Sequence, residues 1–173
     1  MRTIASSIDH EMTWTQRKGL RSEFELKFGD DLVAVLRFPK VLGSAAVAES
    51  GDGSWTFERL GVLKPNIVVH AVGSSEELGT YIPKAWSGGG TLQLSDGRKA
   101  FLSTNAWKRT LRLESDTGET MMELKGRGFF RFSMDVVMFR VGARYPEFPW
   151  MMMLVAYRAV MMRREAAAHS AAH

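Results

Sequence analysis

A chain of 173 residues, 45% apolar and 24% charged, has the size and composition of one globular domain rather than of a disordered segment. It has no cysteine, which excludes disulfides, thiolate zinc sites and cysteine nucleophiles. A formal charge of +4 favours anionic partners, and the start of the chain lacks the apolar run of a secretory signal, so the cytoplasm is the expected compartment.

Residues 1–11 read as an N-terminal arm. From residue 12 onward the hydrophobic pattern has period two, the signature of half-buried strands. Phe24, Leu26 and Phe28 alternate with Glu23, Glu25 and Lys27; Trp55 and Phe57 alternate with Thr56 and Glu58; Leu92 and Leu94 alternate with Gln93 and Ser95. Phe130, Phe132, Met134, Val136 and Met138 occupy one face of a last strand. Gly29-Asp30, Asp52-Gly53, Asp96-Gly97 and Thr117-Gly118 fall between such runs and supply tight hairpin turns. The predicted strands are 12–17, 22–29, 31–38, 43–49, 53–60, 66–72, 77–82, 91–95, 98–103, 107–114, 119–124 and 129–139.

The segment from Phe148 to Met162 breaks this pattern and is apolar on all sides. Pro149 suits a first helical turn, and Glu147 and Arg163-Arg164 flank the run with the polarity a helix dipole favours. A helix apolar all round must be buried. Membrane spanning needs about 20 such residues, and Arg158 interrupts the run at a cost of at least ~2.5 kcal/mol in lipid. A core helix over 147–164 is therefore expected, with a disordered tail at 165–173.

About twelve antiparallel strands without other helices make a sandwich or a barrel. A closed sheet removes its own edges, and a barrel this wide cannot be filled by strand side chains alone. The expected fold is mostly β: a closed barrel of about 12 strands, spanning 12–164, around the buried C-terminal helix.

This plan resembles the tubby C-terminal domain and the related phospholipid scramblases. The local texture is similar too, in the hairpin near Phe24–Phe38, the Asp52-Gly53-Ser54-Trp55 turn and the Pro146-Glu147-Phe148-Pro149-Trp150 approach to the helix. The resemblance covers residues 12 to 164 and implies anionic phospholipid headgroups as ligands, bound by basic surface residues. It transfers no individual ligand residue.

The residues themselves offer one candidate anion site. Arg98, Lys99, Lys108, Arg109 and Arg112 fall on two neighbouring predicted strands joined by a Ser103-Thr104-Asn105 turn, with Lys108 and Arg112 facing away from Trp107, Leu111 and Leu113. Neighbouring cations can share a phosphate, and arginine can hold one bidentately. Lys125, Arg127 and Arg131 form a second basic group among glycines and phenylalanines, but Phe130 and Arg131 stand where an RNA-recognition strand needs a small residue, so nucleic acid is not expected. His10 and His70 stand alone, and His169 and His173 have no carboxylate beside them, so no metal is expected. Neither a phosphate-cradling loop nor a Gly-x-Ser-x-Gly elbow is present. Together with what the resemblance implies, these observations lead to the expectation of a non-enzymatic binding module without cofactor, for anionic phospholipid headgroups or another phosphorylated ligand at a membrane surface, with a protein-interaction scaffold of unknown partner as the alternative.

Overall fold

The computed structural model describes every residue except Arg21, Lys64 and Phe129. Twelve antiparallel strands follow one another up and down: β1 (Met12–Gln16), β2 (Glu23–Phe28), β3 (Asp31–Arg37), β4 (Ala46–Ser50), β5 (Gly53–Leu60), β6 (Asn66–Ala71), β7 (Glu77–Pro83), β8 (Gly90–Leu94), β9 (Lys99–Asn105), β10 (Thr110–Ser115), β11 (Thr120–Gly126) and β12 (Ser133–Met138). Each pairs with its sequence neighbours, and β1 pairs with β12 to close the barrel, Trp14 lying between Leu26 on one side and Met134 on the other. A single helix, α1 (Phe148–Ala171), follows.

The alternating pattern works as anticipated because each strand has one face turned to the lumen. Trp14, Leu26, Phe57, Tyr81 and Leu92 are fully buried there. The lumen is filled by α1, which is buried at every residue from Trp150 to Met161. Tyr157 stacks between the rings of Phe38 at 5.7 Å and Phe57 at 5.4 Å, a pairing that adds to its area burial. Gly79 on β7 exists for this packing: a Cβ there would stand 2.9 Å from Trp150 Cη2 and 2.9 Å from the Gln93 carbonyl. Five methionines lie on the helix, and their unbranched side chains suit a plug surrounded on all sides.

Several expectations need correction. The helix does not stop at residue 164; it runs to Ala171, so 165–173 is no disordered tail. Alanine is the best helix former, and the Ala166–Ala168 run continues a helix already nucleated in the core. The strand expected over 129–139 begins at Ser133; Phe130 belongs to the loop before it and is exposed, while Phe132 to Met138 keep the predicted alternation. Phe129 lies outside the described residues. The strand expected from residue 43 begins at Ala46.

The N-terminal arm is not a free extension. Ile4 is fully buried, its amide donates to Asp52 Oδ2 at 2.7 Å, and Arg2 pairs with Asp31 at 2.6 Å. It covers the end of the barrel at which α1 begins. This closed end is the base; the end at which α1 emerges is the rim.

Candidate functional site

The up-and-down order sends alternate loops to opposite ends of the barrel. The base receives 29–30, 51–52, 72–76, 95–98, 116–119 and 139–147; the rim receives 17–22, 38–45, 61–65, 84–89, 106–109 and 127–132. The base loops contain seven acidic and three basic residues, and the described residues of the rim loops include eight basic residues and no aspartate or glutamate. The modest net charge of the chain thus conceals a strongly polarised molecule.

The rim is also apolar. Every one of its loops presents at least one exposed large hydrophobic side chain: Leu20, Leu42, Leu63, Trp86, Trp107 and Phe130 in chain order. All but Leu20 expose 95% or more of their surface. Single exposed hydrophobes are ordinary, but one on every loop of one end is a patch. The described residues with positive φ other than glycine are Trp86 at 70° and Arg109 at 54°, both on this rim. A bulky residue in that region is strained, and such strain concentrates at functional positions.

The rim cations divide into two groups. Arg17 donates to Glu23 at 2.5 Å and holds that carboxyl below its ordinary range; Arg127 pairs with Asp135 at 3.2 Å; Arg109 donates to the Gly128 carbonyl at 2.6 Å. Lys18, Lys40, Lys84, Lys108 and Arg131 are exposed and make no ion pair within the described residues. The emerging helix is fastened to the same loops. The Tyr157 hydroxyl donates to Ser44 O at 2.7 Å, Arg163 to Phe130 O at 3.1 Å and Arg164 to Gly43 O at 3.1 Å, and Glu165 pairs with Arg59 at 3.4 Å. The Arg164 guanidinium stacks 3.9 Å from the Phe38 ring.

The candidate hairpin cations do not converge. β9 runs through Ser103-Thr104-Asn105, and the turn falls at 106–109. Arg98 is therefore at the base, bound to Asp96 at 2.6 Å and to Glu147 beside the helix start; Lys99 is exposed near the same end. Arg112 lies midway along the outer wall, opposite Ser103, and is neutralised by Glu123 at 2.9 Å. Lys108 and Arg109 are on the rim, and Trp107, expected to face the core beside Leu111 and Leu113, is instead an exposed tip of the turn. Of the second basic group, Arg127 and Arg131 flank the last rim loop, while Lys125 is exposed on β11.

Several clefts open where α1 leaves the barrel, and the two larger ones lie on opposite sides of the helix. One, of about 390 Å³, lies between the helix and β9–β12, with Leu111, Phe132, Met134 and Met162 on its walls and Arg109 and Arg163 beside them. The other, of about 450 Å³, lies on the opposite side of the helix against β5 and the 61–65 and 84–89 loops. Arg158, the residue whose charge interrupts the apolar helix and which is 5% exposed, is among those that line it.

A closed twelve-stranded antiparallel barrel, filled by its own C-terminal helix and carrying a cationic, apolar rim, defines the class of this protein. The fold is similar to that of an Arabidopsis thaliana protein solved by X-ray crystallography, with a TM-score of 0.59 over 90% of this chain and 92% of that one, at 14% sequence identity. That likeness is one of fold. No family model and no curated protein matches the chain.

Proposed function

We propose that this protein is a non-enzymatic module of the tubby-like plan that docks end-on against a membrane surface rich in anionic phospholipid, through the rim. The observation that carries this reading is the rim's composition: eight cations without an acid among the described residues, and an exposed apolar side chain on each of its six loops. Each Lys or Arg brought near an anionic leaflet contributes about 1 kcal/mol. The cations without ion pairs are therefore enough for reversible association before any insertion. Aliphatic tips such as Leu42 and Leu63 suit the headgroup–acyl boundary and have no stacking face to offer nucleic acid. Among the described residues no helix is long and apolar enough to cross a membrane, so the contact is peripheral in this reading.

Co-sedimentation with vesicles tests it. Phosphatidylcholine vesicles containing phosphatidylserine should pellet the protein, pure phosphatidylcholine vesicles should not, and binding should weaken as salt rises. Lys108→Ala combined with Arg131→Ala should reduce pelleting. Equal pelleting with both vesicle types would overturn the reading. The scaffold alternative shares the apolar rim but gives no reason for its uniform charge; lipid-independent self-association in light scattering would favour it.

A further inference from the structure

From the cleft between α1, β5 and the 84–89 loop, we infer a specific phosphate-binding site centred on Arg158, distinct from the diffuse charge of the rim. The inference starts from an energetic anomaly. Arg158 sits in a helix whose neighbours Tyr157, Ala159 and Val160 are all buried and uncharged, and it is itself 95% buried. An arginine cannot shed its proton, and a buried charge without a partner is destabilising by several kcal/mol. Yet Arg158 makes no ion pair within the described residues, and its Nε has no hydrogen-bond partner there. Its companion is the neutral Tyr81, whose ring centroid is 5.5 Å from the guanidinium carbon and whose hydroxyl, pushed up by burial, is drawn partly back down by the Arg158 charge. A cation–π contact of this kind is worth about 2 kcal/mol when desolvated, which leaves the charge under-compensated.

The surroundings of Arg158 suit an anion. Arg59 and Lys84 line the same cleft, and the acid that shares it, Glu165, is already engaged by Arg59 at 3.4 Å. Three cations against one carboxylate leave the cleft positive. At about 450 Å³ it exceeds the ~30 Å³ of a single water many times over and admits a phosphate group with its substituent. The planar fork of Arg158 matches phosphate oxygens bidentately, and Lys84 would add a mobile point charge from the mouth. Leu63 and Trp86 flank that mouth and stand exposed, the arrangement expected if the phosphate's substituent is the glycerolipid body of a membrane phosphomonoester. The lipid source of the phosphate rests on the rim reading; the site itself does not.

Calorimetric titration of the full chain at constant ionic strength, with inorganic phosphate and with monomeric dihexanoyl phosphatidic acid, tests the site without any vesicle. Wild-type protein should bind both, Arg158→Met should weaken binding at least tenfold, and Lys84→Ala should weaken it severalfold. Arg158→Met should fold with a Tm equal to or above wild type, because it exchanges an under-compensated charge for the methionine this helix already uses. Tighter binding of the short-chain lipid than of phosphate would assign a headgroup; equal affinity would assign a free phosphate. Absence of binding by wild type, or undiminished binding by both variants, would overturn the proposal while leaving the vesicle result to judge the rim. A Tm collapse in Arg158→Met with phosphate affinity retained by Lys84→Ala would overturn it too, marking Arg158 as structural.

Discussion

Tryptophan emission should report rim insertion. Of the five tryptophans, Trp14, Trp55 and Trp150 are buried, and Trp86 and Trp107 are fully exposed on adjacent rim loops. Only the exposed pair can change its surroundings on docking, so every spectral shift caused by vesicles should come from them. A tryptophan side chain buries roughly 200 Å² when fully enclosed; half that area at about 25 cal/mol per Å² is about 2.5 kcal/mol. Replacing either residue by alanine should therefore weaken vesicle partitioning by roughly 70-fold, and the losses should add because the loops differ. Neither replacement touches the core, so Tm should stay the same. Trp86→Gly should hold or raise it, since the positive φ of 70° costs a bulky residue about 1 kcal/mol that glycine avoids. The assay is titration with phosphatidylserine-containing vesicles, following a blue shift and quenching by brominated acyl chains. A shift that survives in the Trp86→Phe, Trp107→Phe double variant, or no shift in a protein that pellets, would show that the rim does not enter the interface.

Burial pushes the Tyr157 hydroxyl up to about 12 from an ordinary value of 10, so its contribution to stability is complete below pH 10 and is lost between there and pH 12. That window holds about 3 kcal/mol; Tyr157→Phe, which loses the Ser44 hydrogen bond and about 1 kcal/mol at neutral pH, should close the gap with wild type as urea melts are repeated at rising alkaline pH. Gly79→Ala should destabilise by about 1–3 kcal/mol in chemical denaturation, because its methyl meets both a carbonyl and Trp150 at 2.9 Å. Arg112→Ala should leave vesicle binding unchanged and lower stability by less than about 1 kcal/mol, since its guanidinium is half exposed and paired with Glu123 on the outer wall.

The barrel was legible because its strands have one wet face and one dry face, so Phe24-Leu26 or Trp55-Phe57 announce themselves by alternation alone. The helix was legible because a segment apolar all round has nowhere to go but inside. The rim was not, because its cations arrive one or two at a time, about twenty residues apart, and only closure of the sheet collects them. A signal was nonetheless present. In an up-and-down sheet every second turn shares an end, and the Asp-Gly turns alternate with turns such as Lys18-Gly19-Leu20, Trp107-Lys108-Arg109 and Arg127-Gly128 that contain no acid. The Arg98–Arg112 grouping failed for a local reason: Ser103-Thr104-Asn105 has turn-forming residues, yet pairing with Thr110–Arg112 holds them in the ladder. Arg158 was visible as an interruption of the helix, but its burial beside Arg59 and Lys84 depends on contacts far apart in the chain.

The order in which the parts occur has a consequence for biosynthesis. The wall joins its first strand to its twelfth, and the plug that fills it comes after both, so a ribosome must release nearly the whole polypeptide before any lasting interior exists. Until then up to a dozen one-sided strands wait with their dry faces open, at the slow, long-range end of folding behaviour. A stop codon before Phe148 would leave the wall without the helix that fills it, an empty shell.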